Sequence, residues 1–212
     1  MSSNNLKHFT LELVNGSKND EEKLKKIYYF VRDKILFDLV EDQFMSSEEI
    51  LKIRRGSCMN KALLLHDMAK AVEISVRLHF MKVSKKALED LLHPFVYKLW
   101  PKSFLHTYPE INLDGNWVPM EATFDKELHQ ILLKKRLNFA KYNDRRNIAI
   151  EFDTRGVYGT QQDTIISGSK AIYASNLEPL RKSLEGLPGW KLRLQPLLFR
   201  MSSKWINNKV RS

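Results

Sequence analysis

At 212 residues, with 43% hydrophobic and 28% charged side chains, the chain has the makings of one ample globular domain and no collagen-like or low-complexity bias. No apolar run approaches the ~18 residues of a membrane-spanning helix, the start Met1-Ser2-Ser3-Asn4-Asn5 lacks the order of a secretory signal, and a lone cysteine cannot make an internal disulfide; a cytoplasmic protein with no membrane span is expected. The net charge of +10 is uneven: residues 1–125 hold 18 basic and 18 acidic side chains, and the remaining 17 basic and 7 acidic ones supply the excess.

Disorder is expected only at Met1 to Asn5 and over the last few residues. Asn19, with Glu22 three residues on, predicts a helix start. Leu24, Ile27, Tyr28, Val31 and Ile35 then recur at helical spacing along one apolar face. Ser46 and Glu49 form a second capping box ahead of Ile50 and Leu51, and Gly56 is expected to stop that short helix in a left-handed conformation. Cys58, Ala62, Leu65, Ala69 and Val72 line one side of a further helix that starts close to Cys58, with Ser57 as N-cap. Val76, Leu78 and Phe80 alternate with Arg77, His79 and Met81, as in a strand.

Pro94 and Pro101 break the mixed stretch over residues 84–102. Two strands, residues 104–112 and 116–123, flank Asp114-Gly115, the dipeptide favoured by a two-residue hairpin turn. Leu128, Ile131 and Leu132 predict a helix, and Ile148, Ile150 and Phe152 a strand ended near Arg155-Gly156. Short helices are expected near residues 176–185 and 197–207. Helices first and antiparallel strands after them make the class α+β. The basic second half could draw nucleic acid or an anionic surface, but its charges are scattered, without aromatic interleaving, as on a solvated face.

Cys58 follows Arg54-Arg55-Gly56-Ser57 and opens a helix. Cationic neighbours, unpaired backbone N–H groups and the helix dipole all favour a thiolate there. A thiolate nucleophile needs an imidazole to share its proton and return it to the leaving group. Of the six histidines, His66 falls off the apolar stripe of its helix, His79 lies on the polar side of its strand, and His8, His93 and His129 have no telling neighbours. His106 is placed by the hairpin. A two-residue turn pairs Leu113 with Asn116, and the same register sets His106 opposite Thr123 and Tyr108 opposite Glu121. His106 and Glu121 then point to one face as diagonal neighbours, which supplies a base and a carboxylate to orient it. A three-residue loop would invert that parity and leave Asp125 as the nearest carboxylate.

The stretch Arg55-Gly56-Ser57-Cys58 running into Ala62 and Leu63 resembles the first block of the transglutaminase-like superfamily. The stretch His106 … Glu110 … Asp114-Gly115 … Trp117-Val118-Pro119 … Glu121 … Thr123 is similar to its second block, in register and without a gap. Two positions depart: the third catalytic position is Glu121 where that family normally has Asp, and Tyr108, followed by Pro109, stands where it usually has Trp. The resemblance implies a papain-like core over residues 19–125, with the cysteine's helix packed on an antiparallel sheet that bears histidine and carboxylate. The whole chain, 1–212, is expected to be a single such domain with a basic extension over 126–212.

By that match Cys58 is the nucleophile, His106 general base then acid, and Glu121 the orienting carboxylate. The Cys58 backbone N–H is a natural oxyanion donor and Gln43 a second candidate. The implied activity is acyl transfer or hydrolysis on an amide or ester of a protein or peptide, through a Cys58 thioester (peptidase, isopeptidase, deamidase or transglutaminase). The alternative is a binding module that keeps the scaffold and has lost turnover. The sequence has no Asp-rich calcium loop and one cysteine with scattered histidines, so neither a metal nor a cofactor is expected.

Overall fold

The computed structural model describes residues 4–135, 166, 170–185 and 189–212. Helices α1 (Asn4–Val14) and α2 (Asp20–Lys34) come first, then strand β1 (Leu36–Phe37), helix α3 (Ser47–Ile53), strand β2 (Arg55–Gly56) and helix α4 (Cys58–Ala71). Strand β3 (Val76–Ser84), helix α5 (Pro94–Leu99), strands β4 (Ser103–Leu113) and β5 (Asn116–Pro119) and helix α6 (Lys126–Lys135) follow. The described chain closes with strand β6 (Ile172–Ala174), helices α7 (Glu178–Glu185) and α8 (Gly189–Trp205), and a π-turn at Ile206–Val210. The strands form a parallel β1–β2 pair and an antiparallel sheet in the order β5-β4-β3-β6. The class is α+β, as expected.

The helix starts follow local chemistry. Asn19 Oδ1 accepts from the Glu22 N–H at 2.9 Å, and Leu24, Ile27, Tyr28, Val31 and Ile35 are all buried. Ser46 and Glu49 exchange both bonds of a capping box. Pro94 starts α5 at its first turn instead of breaking structure, because an N–H in the first turn has no intrahelical bond to lose. The first residues are also ordered further than expected: α1 begins at Asn4, and Leu6 and Val14 pack in the core with α2 and α4. At the other end Ile206 and Val210 are buried.

Gly56 does not stop α3. Arg54 takes the left-handed conformation there, at φ 59°, and Gly56 lies in β2 opposite Phe37. A glycine is required for another reason: a Cβ at position 56 would stand 2.7 Å from Asn60 Cβ on the first turn of α4. The close approach brings β2 directly onto the start of the cysteine's helix.

Helix α4 lies on the sheet. Met59 and Ala62 pack with Leu78 and Phe80 of β3, and Leu65, Met68 and Ala69 join Ile111 in the larger core. Asp114 and Gly115, at φ 50° and 86°, make the two-residue turn, and β4 pairs with β5 in the expected register, Leu113 with Asn116 and Glu110 with Pro119. β5 ends at Pro119, four residues short of the expected strand, yet Met120 N–H still donates to Pro109 at 2.9 Å and continues the course of the chain. The expected helices near 176–185 and 197–207 are α7 and α8, the second starting eight residues early despite Pro196 inside it. The strand expected around Ile148 to Phe152 lies outside the described residues. No described helix is long and apolar enough to cross a membrane.

Gly56→Ala should lower stability by roughly 1–3 kcal/mol, since the added methyl must displace the Asn60 stem or the β2 backbone. A denaturant melt would show this as a lower midpoint at unchanged slope. An unchanged midpoint would mean that the β2–α4 approach relaxes freely.

Candidate active site

Cys58 is the first residue of α4, half-buried, at the end of the helix where backbone N–H groups are unpaired. Asn60 holds the turn that delivers it. Its Oδ1 accepts from Ser57 N–H at 3.0 Å and Ser57 Oγ–H at 2.7 Å, and its Nδ2 donates to the Gln43 carbonyl at 3.2 Å. One fully buried amide therefore ties the Cys58 turn to the loop that carries Gln43. Asn60 has no place in the sequence reading, although an amide at the third helical position after a serine N-cap is a capping signal.

His106 rises from the middle of β4 and is buried. Its Nε2 meets Glu121 Oε1 at 2.6 Å, a short contact of the kind made when the hydrogen-bonded groups are ionised. Cys58 lies close enough to the same ring to bear on its charge, and with Nε2 engaged by Glu121, Nδ1 is the nitrogen left for it. Glu121 has no exposed surface, and Thr123 Oγ donates to the same Oε1 at 3.0 Å. Tyr28 Oη–H reaches the Glu121 carbonyl at 3.4 Å. The three residues singled out in the sequence thus stand together in the order Cys58, His106, Glu121.

Burial alone would drive the His106 ring towards its neutral form. The charges of Glu121 and Cys58, with a hydrogen bond to each, overcome that and raise its pKa from 6.5 to about 10.

Asp125 is committed elsewhere. Arg211 grips it with two bonds at 2.6 and 3.0 Å, and the N–H groups of Phe37 and Leu128 donate to it at 2.8 and 3.0 Å. Burial opposes its ionisation, but these donors hold the carboxyl below its ordinary value. Three other histidines, His66, His79 and His129, are also buried, and the first two lie against a carboxylate. His66 Nδ1 lies 2.8 Å from Asp67, and His79 Nδ1 lies 2.8 Å from Glu110, which also takes two bonds from Arg77. Among the described residues no cluster of His, Cys, Asp and Glu is arranged to hold a metal ion.

A cavity of about 320 Å³ opens beside Cys58, Ser57 and Gln43. Its far walls come from α5, α7 and α8.

An α+β fold that brings a helix-borne cysteine to a strand-borne histidine and its carboxylate defines a class of cysteine-enzyme scaffold. The Transglutaminase-like superfamily matches residues 7–122, more than half of the chain, and the protein belongs to that superfamily. Its members are typically cysteine enzymes. Among solved structures the chain is similar to a candidate cysteine protease from Cytophaga hutchinsonii, at 19% identity and a TM-score of 0.42. The match covers 57% of this chain and 37% of that one. None of the curated proteins matches the sequence.

The pairing has a pH signature. His106 has a folded pKa above its unfolded one, so the stability it contributes is complete below about 6.5 and is lost as pH rises through about 10. Lys61, buried and donating to the Ile35 carbonyl at 2.7 Å, titrates in the opposite sense. Burial first, and the nearby cations of Arg211 and Arg32, lower its pKa from 10.5 to about 7 against the pull of Asp125 and Asp33, so its contribution grows with pH in that range. The two offset in the wild type but not in a difference. The stability gap between wild type and Glu121→Gln should be largest near pH 6 and shrink steadily towards pH 10, measured by urea melts. A gap that stays constant over this range would show that His106 and Glu121 are not a charged pair.

Proposed function

We propose that Cys58, His106 and Glu121 act as a catalytic triad for thiol acyl transfer on an amide or ester. One observation carries this reading: a single buried imidazole meets a fully buried carboxylate at 2.6 Å and has the only cysteine of the chain close enough to bear on its charge. The extra methylene of Glu121 relative to the family's Asp is no obstacle, since its oxygen reaches Nε2 at hydrogen-bonding distance.

In this mechanism the resting pair is a thiolate and an imidazolium. The Cys58 sulfur attacks the carbonyl carbon and a C–S bond forms. As the C–N or C–O bond breaks, the His106 proton passes to the departing nitrogen or oxygen. Water or an amine then attacks the thioester and gives its proton to His106, and the thiolate leaves, restoring the starting pair. Glu121 holds the ring's orientation and supports its positive charge without taking the proton. The backbone N–H of Cys58, at the helix start, and the side chain of Gln43, which lines the same cavity, serve the oxyanion. Thr123 fixes the carboxylate and is a positioning residue.

At pH 6, iodoacetamide should label wild-type Cys58 faster than a free-thiol peptide, and His106→Gln should remove the advantage. Glu121→Gln should keep the fold and lose roughly 10²–10⁴-fold in turnover of an activated ester, read as kcat. Asp125→Asn should lower the melting midpoint through its lost anchor to Arg211 while leaving the labelling rate near wild type. A wild-type Cys58 no more reactive than the peptide would point instead to a binding scaffold.

A further inference from the structure

The cavity beside Cys58 is unlike a peptide-binding cleft. Leu105, Phe104, Trp100, Leu184, Leu198 and Phe199 make most of its lining apolar, with Trp100 stacked on Phe199, and the polar side chains besides those at the Cys58 end are Lys82, Ser103, Ser183 and Gln195. A bound peptide brings an N–H and a C=O with every residue, and each needs a partner when buried. A chain of methylenes needs none and gains from burial. At roughly 30 Å³ for each water-sized group, 320 Å³ holds on the order of ten non-hydrogen atoms. Leu99 and Leu194 in the lining are 46% and 39% exposed, so apolar side chains reach solvent there beside exposed Lys82 and Ser183.

The α7 and α8 walls lie beyond residue 122, outside the superfamily match, so this chamber is built by the part of the chain that the superfamily does not specify. The wall is also anchored to the site. Arg211, just past α8, binds Asp125 and the Phe37 carbonyl, and Asn207 donates to Asp38 at 3.3 Å.

We propose that the cavity receives an aliphatic chain attached to the carbonyl that Cys58 attacks, which makes the substrates medium-chain acyl esters, thioesters or amides. This rests on Cys58 being the nucleophile. With a p-nitrophenyl ester the acyl carbon bonds to sulfur, the C–O bond breaks, and p-nitrophenolate leaves.

The test has two arms. In the first, wild-type protein is mixed with p-nitrophenyl acetate, butyrate and octanoate, and with a p-nitrophenyl ester of a leucyl dipeptide, and acylation is followed by p-nitrophenolate release and intact mass. The octanoyl rate constant should exceed the acetyl one by at least about 30-fold, from roughly fourfold per buried methylene until the cavity is full. Leu184→Trp, which fills the chamber, and Leu194→Asp, which charges its exposed lining, should each collapse that ratio. In the second arm, Cys58→Ala is titrated with octanoate and butyrate by calorimetry, and octanoate should bind at least about tenfold tighter. Esters that acylate Cys58 with no chain-length preference, or a dipeptide ester that outruns the octanoyl one, would overturn the proposal and leave the thiol mechanism standing. Octanoate binding to Cys58→Ala without any acylation of wild type would uphold the chamber and overturn the thiol mechanism.

Discussion

A carboxylate with no exposed surface must be paired, because burial without a partner would cost several kcal/mol or neutralise it. Glu121 meets that constraint with His106 at 2.6 Å and a second bond from Thr123. Much of the surrounding structure can be understood as the means of keeping these groups aligned. The tight Asp114-Gly115 turn fixes the β4–β5 register, and the register fixes which face Glu121 presents two residues past the end of β5. A buried ion pair of this kind is weak evidence for stability. It is better evidence that the imidazole is held in one orientation and one charge state, which a proton-shuttling residue needs.

The Cys58 side is held by different means. Here the organiser is Asp125, which gathers the β1 backbone, the first turn of α6 and the carboxy-terminal Arg211 around one anionic centre. β1 pairs with β2, and β2 runs into Ser57 and Cys58. Asp38, bonded to Arg55 and Asn207, ties the same β2 segment to α8's end. The turn before Cys58 is therefore clamped between the amino-terminal half and the far carboxy terminus. Gly56 lets the clamp close, and Asn60 converts the closeness into hydrogen bonds that fix the position of Gln43.

What was legible in the sequence was what local chemistry and short range determine. Helix starts could be read at Asn19, Ser46 and Ser57, and the β4–β5 face relation followed from two turn residues and the period of a strand. The α+β class and the grouping of Cys58, His106 and Glu121 followed from those elements together with the motif resemblance. The role of Gly56 was not legible, because glycine at a left-handed helix end and glycine at a close approach look identical without the third dimension. Nor were the two-residue strands β1 and β2, too short to show any period. His66, off its helix's apolar stripe, and His79, on its strand's polar side, gave no sign of their burial because their carboxylate partners could not be seen. Asp67 is adjacent but unremarkable in sequence, and Glu110 lies 31 residues from His79 across a strand pair.

The division of labour between the two parts of the chain carries a consequence for specificity. Residues 7–122, the stretch the superfamily shares, hold Cys58, His106 and Glu121. The helices after residue 177 add Leu184, Leu198 and Phe199 to the lining of the cavity beside Cys58. On the proposed mechanism, chemistry and selectivity are encoded in different segments, joined through Arg211 and Asn207. A scaffold arranged in this way can change what it accepts by altering α7 and α8 without disturbing the His106–Glu121 register, since that register is set by the β4–β5 turn. The basic surplus of the second half fits the same division. Arg211 is buried against acidic partners of the first half, whereas Arg181 and Arg200 remain exposed, so part of the charge anchors the wall and part faces solvent.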